Sequence, residues 1–136
     1  MSLEKHPKYV FIGGAVGSGN TLIYECLIQD PNVYGINEDA LARTLSRLLH
    51  SEQEMGSCPH SITAYISFME LLRSDRKTLV LKTPSNIRYI KLINEYLPDS
   101  KFIITVRDPH AAISSGIIRH KTDAKTVAKI WKSDYE

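Results

Sequence analysis

Residues 8–21, KYVFIGGAVGSGNT, decide the fold of this chain. The run that opens this stretch is apolar and rich in β-formers, and it stops at Gly13-Gly14, which predicts a buried strand. A glycine-rich loop follows. Apolar side chains then recur at helical spacing over Thr21–Gln29, which predicts a helix. Strand, glycine loop and helix in this order are the building unit of parallel α/β sheets.

The same alternation continues along the rest of the chain. Apolar runs predict two more buried strands, at Thr78–Leu81 and Phe102–Val106. One further helix is predicted after Asn37, which would cap it, with Glu38 and Asp39 in its first turn. Helical spacing predicts the remaining helices at Ser61–Leu72, Asn86–Leu97, His110–His120 and Asp123–Tyr135. Uniformly apolar strands that alternate with helices predict an α/β domain with a parallel sheet.

Composition narrows the class of protein. The 136 residues, 43% apolar and 24% charged, fit one globular domain over 1–136 and exclude a disordered, fibrous or coiled-coil chain. The net charge of +2 gives no indication of nucleic-acid binding. No membrane span or secretory signal is apparent, and Cys26 and Cys58 are too few for a disulfide framework, so we expect a cytoplasmic protein.

The glycine loop has the content of a phosphate-binding turn. Residues 14–21 fit the pattern G-x-x-x-x-G-K-[ST], except that Asn20 stands in the lysine position. Glycines let backbone N–H groups turn towards an anion, and the following helix adds partial positive charge. The alternative is a strand-to-helix turn that binds nothing.

Cationic side chains follow the other two predicted strands. Lys82 comes directly after one strand, and Arg107 comes after the other. Asp108 is placed either to hold the Arg107 guanidinium or to cap a helix, and Ser115 lies two turns into that helix. Taken singly, Lys82 is equally typical of a solvated lysine at a strand end, and the Arg107 segment is more typical of an Arg-Asp pair at a helix start. Because the carboxyl ends of parallel strands share one edge, the three loops together predict a ligand with several phosphates or a comparable anion.

The order and spacing of these motifs resemble a known family. The segments that carry the resemblance are the glycine loop, Lys82-Thr83-Pro84-x-Asn86, Tyr96-Leu97-Pro98-Asp99-x-Lys101-Phe102-Ile103, and Val106-Arg107-Asp108-Pro109 with Ser114-Ser115. Over about residues 9 to 120 the chain resembles sulfotransferases that use 3′-phosphoadenosine 5′-phosphosulfate (PAPS), in the bacterial and tyrosylprotein-type branch. The resemblance implies a three-layer parallel sheet with P-loop-NTPase-like topology. It also implies that this fold is incomplete at the C-terminal end, because family members continue with further segments.

The resemblance also implies a role for each site residue. Glu38 would take the proton from an acceptor hydroxyl, with Asp39 as its rival, and Lys82 would stabilise the sulfuryl group in the transition state. The residues that would hold the 5′-phosphosulfate are Gly14, Gly17, Ser18, Gly19, Asn20 and Thr21, and those for the 3′-phosphate are Arg107 and Ser115. The acceptor would be a small molecule, a peptide or a carbohydrate, and no metal is expected.

Two positions depart from the family pattern. Gly17 stands where the family has a loop lysine or arginine, and Asn20 stands where it has the first of two threonines. Two alternatives therefore stay open beside an active sulfotransferase. One is a P-loop nucleotide-binding protein of kinase type, and the other is a non-catalytic remnant that binds 3′-phosphoadenosine 5′-phosphate (PAP) or a nucleotide.

Overall fold

The computed structural model describes residues 7–38, 40–56, 59–73 and 76–136 of the chain. Strands and helices alternate along it. In chain order they are β1 (Tyr9–Gly13), α1 (Asn20–Leu27), β2 (Val33–Ile36), α2 (Ala40–Met55), α3 (Pro59–Arg73), β3 (Thr78–Lys82), a 3₁₀ helix (Pro84–Tyr89), α4 (Ile90–Tyr96), β4 (Lys101–Ile104), α5 (Pro109–His120) and α6 (Ala124–Tyr135).

The described strands form one parallel sheet in the order β2-β3-β1-β4. The register sets Ile12 beside Lys82 and Ile36 beside Leu81, so these strands end at nearly the same level. Every residue of β1 and β3 is buried, as expected for strands covered on both faces. The predicted α/β class and P-loop-like topology are confirmed, with the glycine loop leaving the sheet from a central strand.

Helices cover both faces of the sheet. Val10, Ile12 and Val80 pack on the side of α1, where Tyr24 is buried against them. The opposite face packs against α2, α3 and α4 through a core whose fully buried members are Phe11, Ile36, Leu49, Ile62, Met69, Leu79, Leu81 and Ile93. Because successive side chains of a strand point to opposite faces, one apolar run supplies both layers. The predicted three-layer architecture is confirmed.

Strand β2 is missing from the strands that the sequence predicts. It has four residues, only Ile36 of them is buried, and Gly35 interrupts the β-forming side chains. A Cβ on Gly35 would lie 2.5 Å from the Ile28 side chain and 2.6 Å from the Tyr24 hydroxyl. Glycine here lets α1 approach the sheet closely, which is a tertiary requirement that weakens the local strand signal.

Two predicted helix starts are wrong. Helix α2 begins at Ala40, so Glu38 precedes it, and the Asn37 side chain accepts a hydrogen bond from the Glu38 N–H. The predicted helix from Asn86 to Leu97 is divided into the 3₁₀ helix and α4. The Asn86 amide donates to the carbonyls of Ile12 and Leu81, at 3.0 and 3.1 Å, and so fastens this segment to the strand ends.

Aspartate side chains cap helices α5 and α6, and the sequence suggests the first of these caps. The Asp108 carboxylate accepts from the Ala111 N–H at 3.0 Å, with Pro109 at the first helical position. The Asp123 carboxylate accepts from the Thr126 N–H at 3.0 Å. Among the described helices, none is both long enough and apolar enough to cross a membrane.

A charged cluster joins the start of β1 to α3 and predicts a specific loss of stability in acid. Burial alone would raise the pKa of Glu70, but hydrogen bonds from Lys8, Tyr9 and Arg73 outweigh it and lower that pKa from 4.5 to about 2. A lowered folded-state pKa contributes stability above pH 4.5, and this contribution is lost as the pH falls towards 2.

Glu70→Gln should reduce the dependence of the free energy of unfolding on pH between 4.5 and 2, measured by urea unfolding at several pH values in this range. The control Glu95→Gln, at an exposed α4 position, should keep the wild-type slope, and an unchanged slope in Glu70→Gln would contradict the prediction.

Candidate active site

A cavity of about 530 Å³ opens at the carboxyl edge of the sheet. All three of the loops that the sequence singled out contribute to its wall. The predicted site residues that line it are Gly17, Gly19, Asn20, Thr21, Glu38, Lys82, Arg107 and Ser115. The fold therefore brings most of the predicted site together, because parallel strands end at one edge.

Lys82 and Glu38 form an ion pair in the cavity wall. Lys82 ends β3 and is 5% exposed, and its Nζ lies 3.5 Å from Glu38 Oε2. A buried ammonium group requires a partner, and the neighbouring strand β2 delivers one, because Glu38 follows β2 by two residues. The Glu38 side chain keeps 39% exposure. A cation and a carboxylate thus lie side by side, one able to neutralise an anion and the other to accept a proton.

The glycine loop presents backbone N–H groups to the same cavity. Gly14, Gly17 and Gly19 have positive φ angles of 139°, 83° and 106°, which glycine adopts without steric cost. Within the described residues, no acceptor contacts the N–H groups of Gly17, Gly19, Asn20 or Thr21. These donors lie at the start of α1, where the helix dipole adds positive potential, and this arrangement suits an anion.

Two polar side chains of the loop turn inward and hold its shape. The Asn20 amide donates to Gly14 O at 3.0 Å, and its oxygen accepts from Thr105 Oγ1 at 2.5 Å. Ser18 Oγ lies 2.6 Å from both Ala15 O and Thr105 Oγ1. The Asn20 side chain is thus bonded to Gly14 and Thr105, and we expect Asn20 to contribute its backbone N–H to the cavity.

The loop after β4 closes the other wall of the cavity. The Arg107 guanidinium donates to Gly17 O at 2.9 Å, so this cation lies against the glycine loop. A Cβ built on Gly17 would lie 3.2 Å from Ser115 Oγ, which puts the serine over the same glycine. Arg107 and Ser115 are therefore adjacent to the loop from which the N–H groups project.

The conformation of Gly17 opposes restoring the side chain that the family pattern has there. At φ +83° any other residue is strained, and its Cβ would crowd Ser115. Gly17→Arg should lower the free energy of unfolding by about 1–2 kcal/mol, the cost of the left-handed conformation, measured by urea denaturation. Gly17→Ala introduces the same backbone strain without the long side chain, so it should lose a similar amount. A Gly17→Arg variant as stable as the wild type, with tighter PAPS binding, would contradict this prediction.

The described lining also contains basic or imidazole side chains that the sequence analysis did not select, namely Arg43, Arg119 and His120. Arg119 had a usable signal, because it follows Ser115 by one helical turn on α5 and so shares its face. Nothing local marks Arg43 among the polar residues of α2. Gly14 and Ser18 lie outside the cavity lining, and their part in ligand binding stays a prediction. Asp39, the rival of Glu38, lies outside the described residues.

The charge of the cavity is predominantly positive. The basic side chains in its lining are Lys82, Arg43, Arg107 and Arg119, and the carboxylate among them is Glu38. Within the described parts of the chain, no group of three or more His, Cys, Asp or Glu residues is arranged to hold a metal ion. This lining is suited to a ligand with several negative charges.

Comparison with known proteins gives this site a family. A 46-residue segment, 34% of this chain, is 46% identical to the omega-hydroxy-beta-dihydromenaquinone-9 sulfotransferase Stf3 of Mycobacterium bovis and to its namesake in Mycobacterium tuberculosis. The chain covers 12% of the length of these relatives. The crystal structure of TT1252 from Thermus thermophilus shares the fold, with a TM-score of 0.61 at 18% identity over 95% of this chain and 81% of that one. The sequence model of the sulfotransferase family matches residues 7–135. Since that match extends across every strand and loop that builds the cavity, the chain belongs to the sulfotransferase family.

Proposed function

We propose that this chain binds PAPS and transfers its sulfuryl group to an acceptor hydroxyl. The observation that carries the proposal is the Lys82–Glu38 pair, whose atoms lie 3.5 Å apart in a cavity that also holds the glycine loop and Arg107. Transfer of a sulfuryl group needs charge neutralisation at sulfur and a proton acceptor for the hydroxyl. The pair supplies both functions at one place.

The proposed binding mode assigns the two anionic ends of PAPS to different walls of the cavity. The 5′-phosphosulfate lies against the N–H groups of Gly17, Gly19, Asn20 and Thr21, which are free of acceptors within the described residues. The 3′-phosphate lies against Arg107 and Ser115. A guanidinium can bind a phosphate through two parallel hydrogen bonds, which suits Arg107 to this end of the ligand.

The proposed chemistry is an in-line displacement at sulfur. The acceptor oxygen forms a bond to sulfur while the bond from sulfur to the bridging oxygen of the 5′-phosphate breaks, and the products are a sulfate ester and PAP. The acceptor proton goes to Glu38. Lys82 stabilises the negative charge that develops on the leaving phosphate.

Basic residues outside the glycine loop support charge neutralisation in this proposal. Gly17 offers no side chain to the phosphosulfate, but Arg43 near the start of α2 and Arg119 near the end of α5 line the same cavity. Charge-assisted hydrogen bonds from such residues are about twice as strong as neutral ones. The proposal therefore does not require a cation at position 17.

The acceptor is proposed only as a class. The names of the Stf3 relatives give omega-hydroxy-beta-dihydromenaquinone-9 as their substrate, which is a menaquinone that carries a hydroxyl group. A hydroxyl on a small molecule, a peptide or a carbohydrate meets the chemical requirement that Glu38 and Lys82 set. An acceptor panel should therefore contain a hydroxylated menaquinone, phenols, a tyrosine peptide and a simple sugar.

The test combines ligand binding with transfer. Calorimetry should show that PAP binds more tightly than ATP or GTP, and radiolabelled PAPS should transfer its label to a member of the acceptor panel. Preference for ATP or GTP would favour a nucleotide-binding protein of kinase type. Binding of PAP without transfer to any acceptor would indicate a non-catalytic member of the family.

Arg107→Ala tests the assignment of the 3′-phosphate. The variant should weaken PAP binding by about 1.5–3 kcal/mol, the range for a hydrogen bond to a charged group. Binding of adenosine 5′-phosphate, which lacks the 3′-phosphate, should barely change. Arg47→Ala, at an exposed α2 position outside the lining of this cavity, serves as the control and should leave both affinities unchanged. Equal losses for the two ligands in Arg107→Ala would overturn the assignment.

A further inference from the structure

The last turn of α6 contacts the glycine loop through Tyr135. Its hydroxyl accepts a hydrogen bond from the Ala15 N–H at 2.9 Å and donates one to Thr105 O at 2.8 Å. Ala15 lies inside the glycine loop and is 2% exposed, and Thr105 follows β4, two residues before Arg107. One hydroxyl group thus bridges two loops of the cavity that are far apart in sequence.

The preceding residue, Asp134, connects the same turn to the 3₁₀ helix that follows β3. Its carboxylate is 6% exposed and accepts from Arg88 Nε at 2.8 Å, with a second hydrogen bond from the same guanidinium. Arg88 belongs to the 3₁₀ helix that follows Lys82. Two consecutive residues of α6 are therefore bonded to two of the loops that surround the cavity, and to the 3₁₀ helix that follows the third.

The aromatic side chains of α6 hold this turn in place. Trp131 packs against Tyr135, with ring centroids 5.0 Å apart and planes at 58°. The indole also borders a small void of about 20 Å³, which Ala15 of the glycine loop and Ala112 of α5 line as well. This contact sets the position of Tyr135 by packing as well as by hydrogen bonding.

An anchor matters for the glycine loop because glycine has a larger choice of backbone conformations than other residues. Gly14, Gly17 and Gly19 adopt positive φ angles in the observed conformation, in which Gly17 and Gly19 line the cavity. Other bonds that fix the loop come from segments directly after the neighbouring strands, such as that from Gly14 N–H to Pro84 O at 3.3 Å. The bond to Tyr135 is different, since it comes from a helix remote from the ligand.

We propose that Asp134 and Tyr135 are positioning residues, which bond α6 to the glycine loop, to the loop after β4 and to the 3₁₀ helix, and hold the glycine loop ready for the anionic ligand. The proposal rests on the proposed function, because that function names PAP as the probe. Neither residue belongs to the lining of the cavity, so both act through the loops. Preorganisation of this kind raises affinity by reducing the ordering that binding requires.

Tyr135→Phe is the direct test, because it removes the hydroxyl and keeps the ring that packs on Trp131. Amide hydrogen exchange at Ala15 should accelerate at least about tenfold, since that N–H loses its acceptor. Exchange at Phe11, in the buried strand β1, should change less than about twofold. The dissociation constant for PAP should rise about tenfold, the effect of losing one net hydrogen bond.

Tyr34→Phe is the matched control. Tyr34 is 37% exposed on β2, so its variant should match the wild type in both exchange and affinity. PAP affinity is measured at a temperature where every variant is folded, so a residue that affects stability alone would not alter it. Unchanged exchange at Ala15, or faster exchange with unchanged PAP affinity, would overturn the proposal.

A second measurement needs no variant. Binding linkage is reciprocal, so saturating PAP should slow exchange at Ala15 in the wild-type chain. If Tyr135→Phe does not fold, this result decides, and unchanged exchange would overturn the proposal. A wild-type chain that binds no PAP would refute the proposed function, whereas the exchange comparison between Tyr135→Phe and Tyr34→Phe would still decide whether Tyr135 anchors the loop.

Discussion

Glu38→Gln should lower the rate of sulfuryl transfer by about 10²–10⁴-fold, the usual contribution of a general base. The amide keeps the size of the side chain and removes its ability to take a proton. Because the proposed contacts of PAP lie with the glycine loop, Arg107 and Ser115, the affinity for PAP should change little. Single-turnover transfer from labelled PAPS measures the rate, and calorimetry measures the affinity.

The position of Glu38 makes this test informative. Glu38 precedes α2 and lines the cavity, with 39% of its side chain exposed. Its partner is Lys82, at 3.5 Å. Glu25→Gln, on the exposed side of α1, is the control and should keep wild-type turnover. Wild-type turnover in Glu38→Gln would remove this residue from the proposed chemistry.

Lys82→Met should lower the transfer rate by about 10²–10³-fold, the effect of removing one preorganised donor to a developing charge. Methionine is unbranched and similar in length, so it fills the buried position at the end of β3 without the ammonium group. The loss should appear mainly in the rate, because the charge on the leaving phosphate grows in the transition state. The Glu38 side chain is 39% exposed, so its carboxylate remains in contact with water when Lys82 is replaced.

A double variant distinguishes a catalytic pair from two independent residues. If Glu38 and Lys82 act in one step, Glu38→Gln combined with Lys82→Met should lose much less than the product of the two single losses. Lys91→Met, at an exposed position of α4, is the control for removing a lysine charge and should leave the rate unchanged. Wild-type turnover in Lys82→Met would contradict the proposed role of the lysine.

Much of the fold was predictable because it depends on local patterns. Apolar runs bounded by glycine and proline located β1, β3 and β4, and apolar spacing located the helices, although several boundaries shifted by one or two residues. Strand β2 could not be predicted from the sequence, because its contacts come from the neighbouring strand β3 and from the close approach of α1 to Gly35. Neither contact leaves a periodic pattern in four residues.

The candidate site also has one part that the sequence predicts and another that only the tertiary structure shows. The sequence by itself determined which loops meet, because Gly17, Lys82 and Arg107 all follow strands of a parallel sheet. Only the tertiary structure decided that β2 pairs with β3, and this pairing is what sets Glu38 beside Lys82. Only the tertiary structure also brought Tyr135 to the glycine loop, 120 residues from Ala15 along the chain. Contacts between segments so distant depend on how helices pack on the sheet, and spacing along the chain carries no record of that packing.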